Sequence, residues 1–300
     1  LSPKTRRFFL LVAFGLATAG FWAYHLFPSD AIRRALESRM RFADTEIRIG
    51  RIAPDIQLNT LPGIRASDIR LRIPASSPVS LAEIRIRPGK ISLTGGTVTW
   101  ILKIEDPQAK IDGEWSVSSG WFGHPEYIRL FGQQVRLEGF PILQEKLNRP
   151  IQGVLTWEME SHFHENNFSG NLLFTVTDAG VGVNIPELAL EMIHFQRIEA
   201  RLEFTDGLVR VTRCDFTGPH LTGHVVGDIR PAGKPEDIQI LLKGTARLHH
   251  PLMAGFRYPS ILTKMNERFS EGIPFQISGS PTRIRWTVSP ATPPTDGNRP

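Results

Sequence analysis

A single cysteine, Cys214, excludes any intrachain disulfide from this 300-residue chain, so packing and hydrogen bonds must hold the fold together. Catalytic signatures are missing as well. There is no zinc-site spacing, no G-x-S-x-G elbow, no phosphate-binding loop and no H-E-x-x-H. The net charge is +5, but its arginines alternate with apolar residues, as in "EIRIRPG" and "RIRWTV", instead of clustering. Such arginines solvate the outer face of a strand, and no nucleic-acid-binding motif accompanies them, so no nucleic-acid partner is expected. Long hydrophobic runs are scarce. Only the stretch from Phe8 to Phe27 is uncharged for long enough to matter at a membrane.

What the sequence does have is turn chemistry. Twenty-six glycines and twenty-three prolines favour many short strands over a helical bundle, and 41% hydrophobic residues suffice for a sizeable buried surface. The composition leans to β.

"FFLLVAFGLATAGFWAYHLF", Phe8 to Phe27, would span about 30 Å as a helix at ~1.5 Å per residue, which matches a bilayer core. Lys4, Arg6 and Arg7 precede it, and Trp22 and Tyr24 sit near its far end, where aromatic side chains prefer the membrane interface. A cleaved signal peptide is the rival reading, with Ala17 and Ala19 as small residues before a cut. The apolar run continues past that site, which favours a retained single-pass anchor contacting membrane lipids. Orientation is open, because Arg33, Arg34, Arg39 and Arg41 on the far side balance the basic residues on the near side.

Four regions are expected: a basic tail and anchor over 1–28, an amphipathic helix over 29–44, a β-rich domain over 45–288, and a disordered tail over 289–300. Ser29 and Asp30 are helix caps, and Ile32, Leu36 and Met40 recur four apart. From Glu46 onward the period falls to two. "SDIRLRI", "AEIRIRPGKISL", "TVTWILKI", "GVLTWEMESHF", "RIEARLEF" and "IQILLKGTARL" read as antiparallel meander strands. Turns are expected at Leu61-Pro62-Gly63, Pro74 to Pro78 and Pro88-Gly89. Three stretches read as helical insertions: "GFPILQEKLN"; "IPELALEMIHF", with Leu188, Met192 and Phe195 at near-helical spacing; and "HHPLMAGFRYPSILTKMNERFSEG" in two pieces, stopped by Gly272.

Candidate chemistry is thin. His162 and His164 share a strand face, as do Glu158 and Glu160, but no third metal ligand follows, and the bordering alternation makes this a solvated face. No catalytic, cofactor-binding or metal-ligating residue is identified, and no cofactor or enzymatic activity is expected. In "LTGHVVGDIR", Leu221, Val225 and Ile229 share one face with Gly223 and Gly227, which leave side-chain space there. That face either packs against an insertion helix or lines a groove for acyl chains.

The order of these phrases resembles the type II secretion system protein N (GspN-like) family and, more distantly, the AsmA-like envelope proteins. The likeness rests on "FPSDAIRRALESRM", "LPGIRASDIRLRI", "GFPI", "SGNLLF", "DAGVGV", "FTDGLVRV", "LTGHVVGDIRP" and "PFQISGSPTRIRW" after one N-terminal apolar segment. The resemblance implies a bacterial inner-membrane anchor and a large periplasmic β domain that is non-enzymatic and contacts other secretion-system proteins. Its AsmA-like side implies a long, curved, mostly antiparallel sheet whose apolar face suits lipid binding or transfer.

Overall fold

The computed structural model describes residues 28–39, 46–56, 61–72, 78–92, 96–118, 125–140, 144–145, 149–164, 167–183, 190–205, 207–232, 237–254, 259–269, 271–280 and 283–288. Among them no helix is long and apolar enough to cross a membrane. The anchor expected over Phe8–Phe27, with Arg6, Arg7, Trp22 and Tyr24, and the tail expected over 289–300 lie outside the described residues.

The protein is mainly β. A helix α1 (Ser29–Arg39) leads into β1 (Glu46–Asp55), β2 (Gly63–Arg72), β3 (Val79–Ser92), β4 (Thr97–Asp106), β5 (Ala109–Val117), β6 (Pro125–Arg136) and β7 (Ile151–His164). Then come β8 (Asn167–Gly182), β9 (Met192–Thr205), β10 (Leu208–Thr217), β11 (Leu221–Arg230) and β12 (Gln239–Leu248). Helices α2 (His250–Ala254) and α3 (Pro259–Arg268) precede β13 (Ile273–Ser280) and β14 (Arg283–Val288). All strands form one 14-stranded antiparallel sheet in sequence order, so each strand pairs only with its neighbours in the chain.

Alternation of side chains drives this arrangement, but it is interrupted at defined places. Along several strands the residues on the apolar side are three apart instead of two: Ile49 and Ile52, Ala66 and Ile69, Val176 and Ala179, Val211 and Cys214. In β2, β8 and β10 the interruption coincides with an irregular backbone. Asp68, Gln134 and Asp178 have φ of 56°, 53° and 52°, in the left-handed region that Asp tolerates better than most residues, and Thr212 is an extra residue between two registers. The bulge swings the strand over by one residue and returns the next apolar side chain to the same face.

Two expectations are corrected here. Pro88-Gly89 does not end a strand; β3 runs through it with a register shift between Pro88 and Ile91, at the ladder position where the missing proline N–H is tolerated. Met192 to Phe195 is not helical but opens β9, where Phe195 lies opposite Ala179 and Ile193 opposite Val181. The near-helical spacing there belongs to a strand whose face slips at Gln196, opposite Asp178. The two-piece insertion is present as α2 and α3, and Gly272, with φ of 108°, donates its N–H to the Phe269 carbonyl at 3.0 Å as the stop. Only Gln144 and Glu145 of the expected helix over 139–148 are described as helical.

The best-buried cluster lies at the β1 end. Ile49, Ile52, Ala66 and Ile69 pack together with Ile32 of α1 and with Ile47, Ile64, Leu81 and Ile84. The Glu37 carboxylate of α1 accepts the Ile49 N–H at 2.9 Å, so the helix satisfies an edge donor of β1 as well as covering it. Replacing Ile69, which is 3% exposed, by alanine is expected to destabilise the β1–β3 end by about 2–5 kcal/mol, read as a lowered urea midpoint and faster amide exchange in those strands.

Candidate functional site: an uncharged face across the sheet

Because directly opposed residues in an antiparallel pair share a face, the strand registers can be followed from one edge of the sheet to the other. One row runs Ile52, Ala66, Ile84, Ile104, Ile111, Gly132, Trp157, Phe174, Ala200, Cys214, Val225, Gly244, Phe275, Val288. The next runs Pro54, Ile64, Ile86, Leu102, Gly113, Leu130, Met159, Leu172, Leu202, Val211, Gly227, Leu242, Ile277, Trp286. Each row takes one residue from every strand, and neither contains a charged side chain. With neighbouring strands ~4.8 Å apart, the thirteen steps amount to roughly 60 Å, about twice the thickness of a bilayer core.

This face is the more enclosed of the two. Leu172, Val225 and Leu242 are half-buried, whereas their chain neighbours on the opposite face, Leu173, Val226 and Leu241, are 39%, 42% and 48% exposed. Residue type and strand are held constant in that comparison, so the difference belongs to the face on which each residue lies. Among the described helices α1 meets the sheet at β1, a 3-10 turn over Leu137–Gly139 meets it at β7, and α3 meets it at the end of β12, where Asn266 Nδ2 donates to the Leu248 carbonyl at 3.2 Å.

Glycines on this face do not leave open holes. A Cβ on Gly132 would stand 2.1 Å from Trp157 Nε1, one on Gly223 would stand 2.7 Å from the Phe216 ring, and one on Gly244 would stand 3.0 Å from Phe275. In each case a large side chain lies across the glycine, which levels the surface into a smooth strip. The expectation of empty side-chain space at Gly223 and Gly227 is therefore corrected. Phe216 fills the first, and the second has φ of +147° with the Leu241 carbonyl 2.2 Å from any added Cβ. Leu221, Gly223, Val225, Gly227 and Ile229 do share one face, opposite Leu248, Ala246, Gly244, Leu242 and Ile240.

Two polar groups on or beside the strip behave as apolar ones would. Burial, then the charge of Asp215, pushes the Cys214 thiol above its usual range, so it remains a neutral, half-buried side chain between Ala200 and Val225. The Ser161 hydroxyl is wholly buried and has no hydrogen-bond partner among the described residues.

The opposite face is laced with charge. Arg129 bonds Glu158 at 2.5 Å, Arg210 bonds Asp228 at 3.2 Å, and Lys103 lies 3.8 Å from Asp112, each pair joining adjacent strands. Glu160 lies 3.8 Å from His162 Nε2, and the His162 ring packs on Tyr127 at 5.1 Å. Glu158, Glu160, His162 and His164 thus sit on the outer face, and no three potential metal ligands lie together among the described residues. Beyond them, His220 Nδ1 accepts the His194 N–H at 3.0 Å; burial, then His194, lowers its pKa. Burial favours the neutral ring, so the stability this site contributes is lost as the pH falls through the ordinary imidazole range.

Ser161→Ala is expected to leave the melting temperature unchanged or to raise it, by an amount on the order of 1 kcal/mol in stability, because it removes an unsatisfied buried hydroxyl without opening a large cavity. Gly227→Ala should lower stability by about 1–3 kcal/mol, since an L-residue must either leave that φ or strike β12. Thermal unfolding of both variants by circular dichroism checks the pair.

No protein-family model matches this chain, and no curated protein or solved structure matches it.

Proposed function

We propose that this protein is a non-enzymatic lipid-binding component of the bacterial envelope, carrying acyl chains along the two uncharged rows from β1 to β14. One observation carries the reading: each row crosses all fourteen strands without a charged side chain. An apolar surface of that extent is unusual on a soluble monomer and calls for an apolar occupant. Acyl chains suit it because the strip is smooth, continuous and devoid of the fixed polar groups that would orient a polar small molecule. Each methylene taken from water contributes about 0.8 kcal/mol, so one chain laid across a few strands supplies substantial affinity without any specific contact.

The AsmA-like resemblance agrees with this reading, as does the long single antiparallel sheet. The apolar segment from Phe8 to Phe27 would tether the chain to the inner membrane, with the sheet in the periplasm. Since α1 follows that segment directly and packs on β1, the β1 end of the strip would lie nearest the bilayer and the β14 end farthest from it. Lipid would then enter beside α1 and lie along the strip, away from the membrane. A second reading, as a secretion-assembly component that works through protein contacts, is favoured by one observation: the open edge at β14.

The test uses paired substitutions in β8 and β12. Leu172→Glu with Leu242→Glu puts two carboxylates into the strip, while Leu173→Glu with Leu241→Glu puts them on the outer face of the same strands. Native mass spectrometry of the full chain is expected to show bound acyl lipid in the wild type and in the outer-face variant, and several-fold less in the strip variant, at unchanged far-ultraviolet circular dichroism. Equal lipid in both variants would overturn the reading. So would a lipid-free wild-type dimer, which would mean that a second sheet covers the face.

A further inference from the structure

The two edges of the sheet are treated differently. On β1 the edge is occupied: α1 packs along it, Ile32 enters its core, and Glu37 takes up the Ile49 N–H. At β14 all six residues are exposed, with Ile284, Trp286 and Val288 at 50%, 66% and 52%. These three lie on the apolar side, opposite Gly279, Ile277 and Phe275, and the Trp286 ring packs on Phe275 at a centroid distance of 5.3 Å. Both uncharged rows therefore run out at an edge that carries no proline and no bulge to discourage pairing.

Charge specifies what would pair there. At several places on the outer face, basic residues meet carboxylates on an adjacent strand: Arg129 with Glu158, Arg210 with Asp228, Lys103 with Asp112. Arg283 and Arg285 stand on the same face of β14, but their partners on β13 are Ser280 and Ser278, and neither arginine has an ion pair among the described residues. Asp237 lines the same shallow depression without pairing with either. The complementary carboxylates are the ones that a fifteenth strand would bring. A second copy of this chain supplies none: antiparallel β14–β14 pairing opposes arginine to threonine or arginine, and the β1 edge is covered.

We infer that β14 is a docking edge for an extended segment of a different protein, in which apolar residues alternate with Asp or Glu. Its backbone adds to the sheet, its carboxylates meet Arg283 and Arg285, and its apolar side chains prolong the rows that end at Trp286 and Val288. This names the partner chemistry for the second reading above and rests on that reading, independently of acyl-chain binding.

The experiment titrates the full chain, in a mild detergent, with fluorescent synthetic peptides of alternating Val and Glu, Val and Ser, or Val and Lys, and follows amide exchange of β14. The Val-Glu peptide is expected to bind roughly fivefold to tenfold more tightly than the Val-Ser peptide and to protect the β14 amides. Arg283→Glu with Arg285→Glu should transfer that preference to the Val-Lys peptide, and the milder Arg283→Gln with Arg285→Gln should abolish it. Equal binding of the Val-Glu and Val-Ser peptides would overturn the acidic specification while leaving strand addition intact. Failure of all three to protect β14 would overturn strand addition and the second reading together. A concentration-dependent homodimer that protects β14 would overturn the choice of partner.

Discussion

Backbone hydrogen bonding between strands of this sheet runs only to the strand just before or just after in the chain, and that restriction governs the remainder of the structure. Fourteen strands paired only with their sequence neighbours form a ribbon instead of a closed barrel, because among the described residues nothing returns the last strand to the first. The stability of such a ribbon is close to a sum of nearest-neighbour terms, as in repeat proteins. A change at Ile69 is thus felt by β1 to β3 and only weakly by β12 or β13. The same restriction leaves two edges to be managed, one under α1 and one at β14.

A single-layer ribbon cannot dry its apolar side by stacking on itself, which leaves residues such as Leu172, Val225 and Leu242 half-buried. Twist accumulates over thirteen strand-to-strand steps, and the bulges at Gln134, Asp178 and Thr212, with the positive φ of Asp68, add local irregularity. The bulges also keep the face uniform. Without the slip between Val211 and Cys214, the Cys214 side of β10 would turn outward and Arg213 or Asp215 would turn into the strip. Trp157 over Gly132 and Phe216 over Gly223 level the surface, since a Cβ at either glycine would overlap the neighbouring ring.

The two faces consequently have different physics. Ion pairs on the outer face, such as Arg210 with Asp228, are exposed and individually weak, but across many strands they favour correct register and disfavour slips that would set like charges side by side. On the inner face register is fixed by exclusion, because a one-residue slip would put a charged side chain into the uncharged rows. The proposed acyl-chain binding and the proposed strand addition at β14 both start from that division: one would occupy the strip along its length, and the other would continue it beyond its end.

By itself the sequence determined the local content: a β-rich chain, the start of α1 and the placing of Ile32, the two pieces of the α2–α3 insertion, and strands such as "RIEARLEF" and "TVTWILKI", whose unbroken alternation leaves one face apolar. It also placed Glu158, Glu160, His162 and His164 on a solvated face and Leu221 to Ile229 on an apolar one. Alternation is a property of one strand at a time, however, and it fails wherever the backbone slips. Met192 and Phe195 therefore looked helical, Pro88-Gly89 looked like a turn, and Phe131 on the outer face of β6 obscured that strand. Only the tertiary structure decided which residues of different strands lie in one row, because that depends on the sum of bulges along fourteen ladders. The apolar strip and the open β14 edge exist at that level, where registers are summed over strands that are distant in the chain.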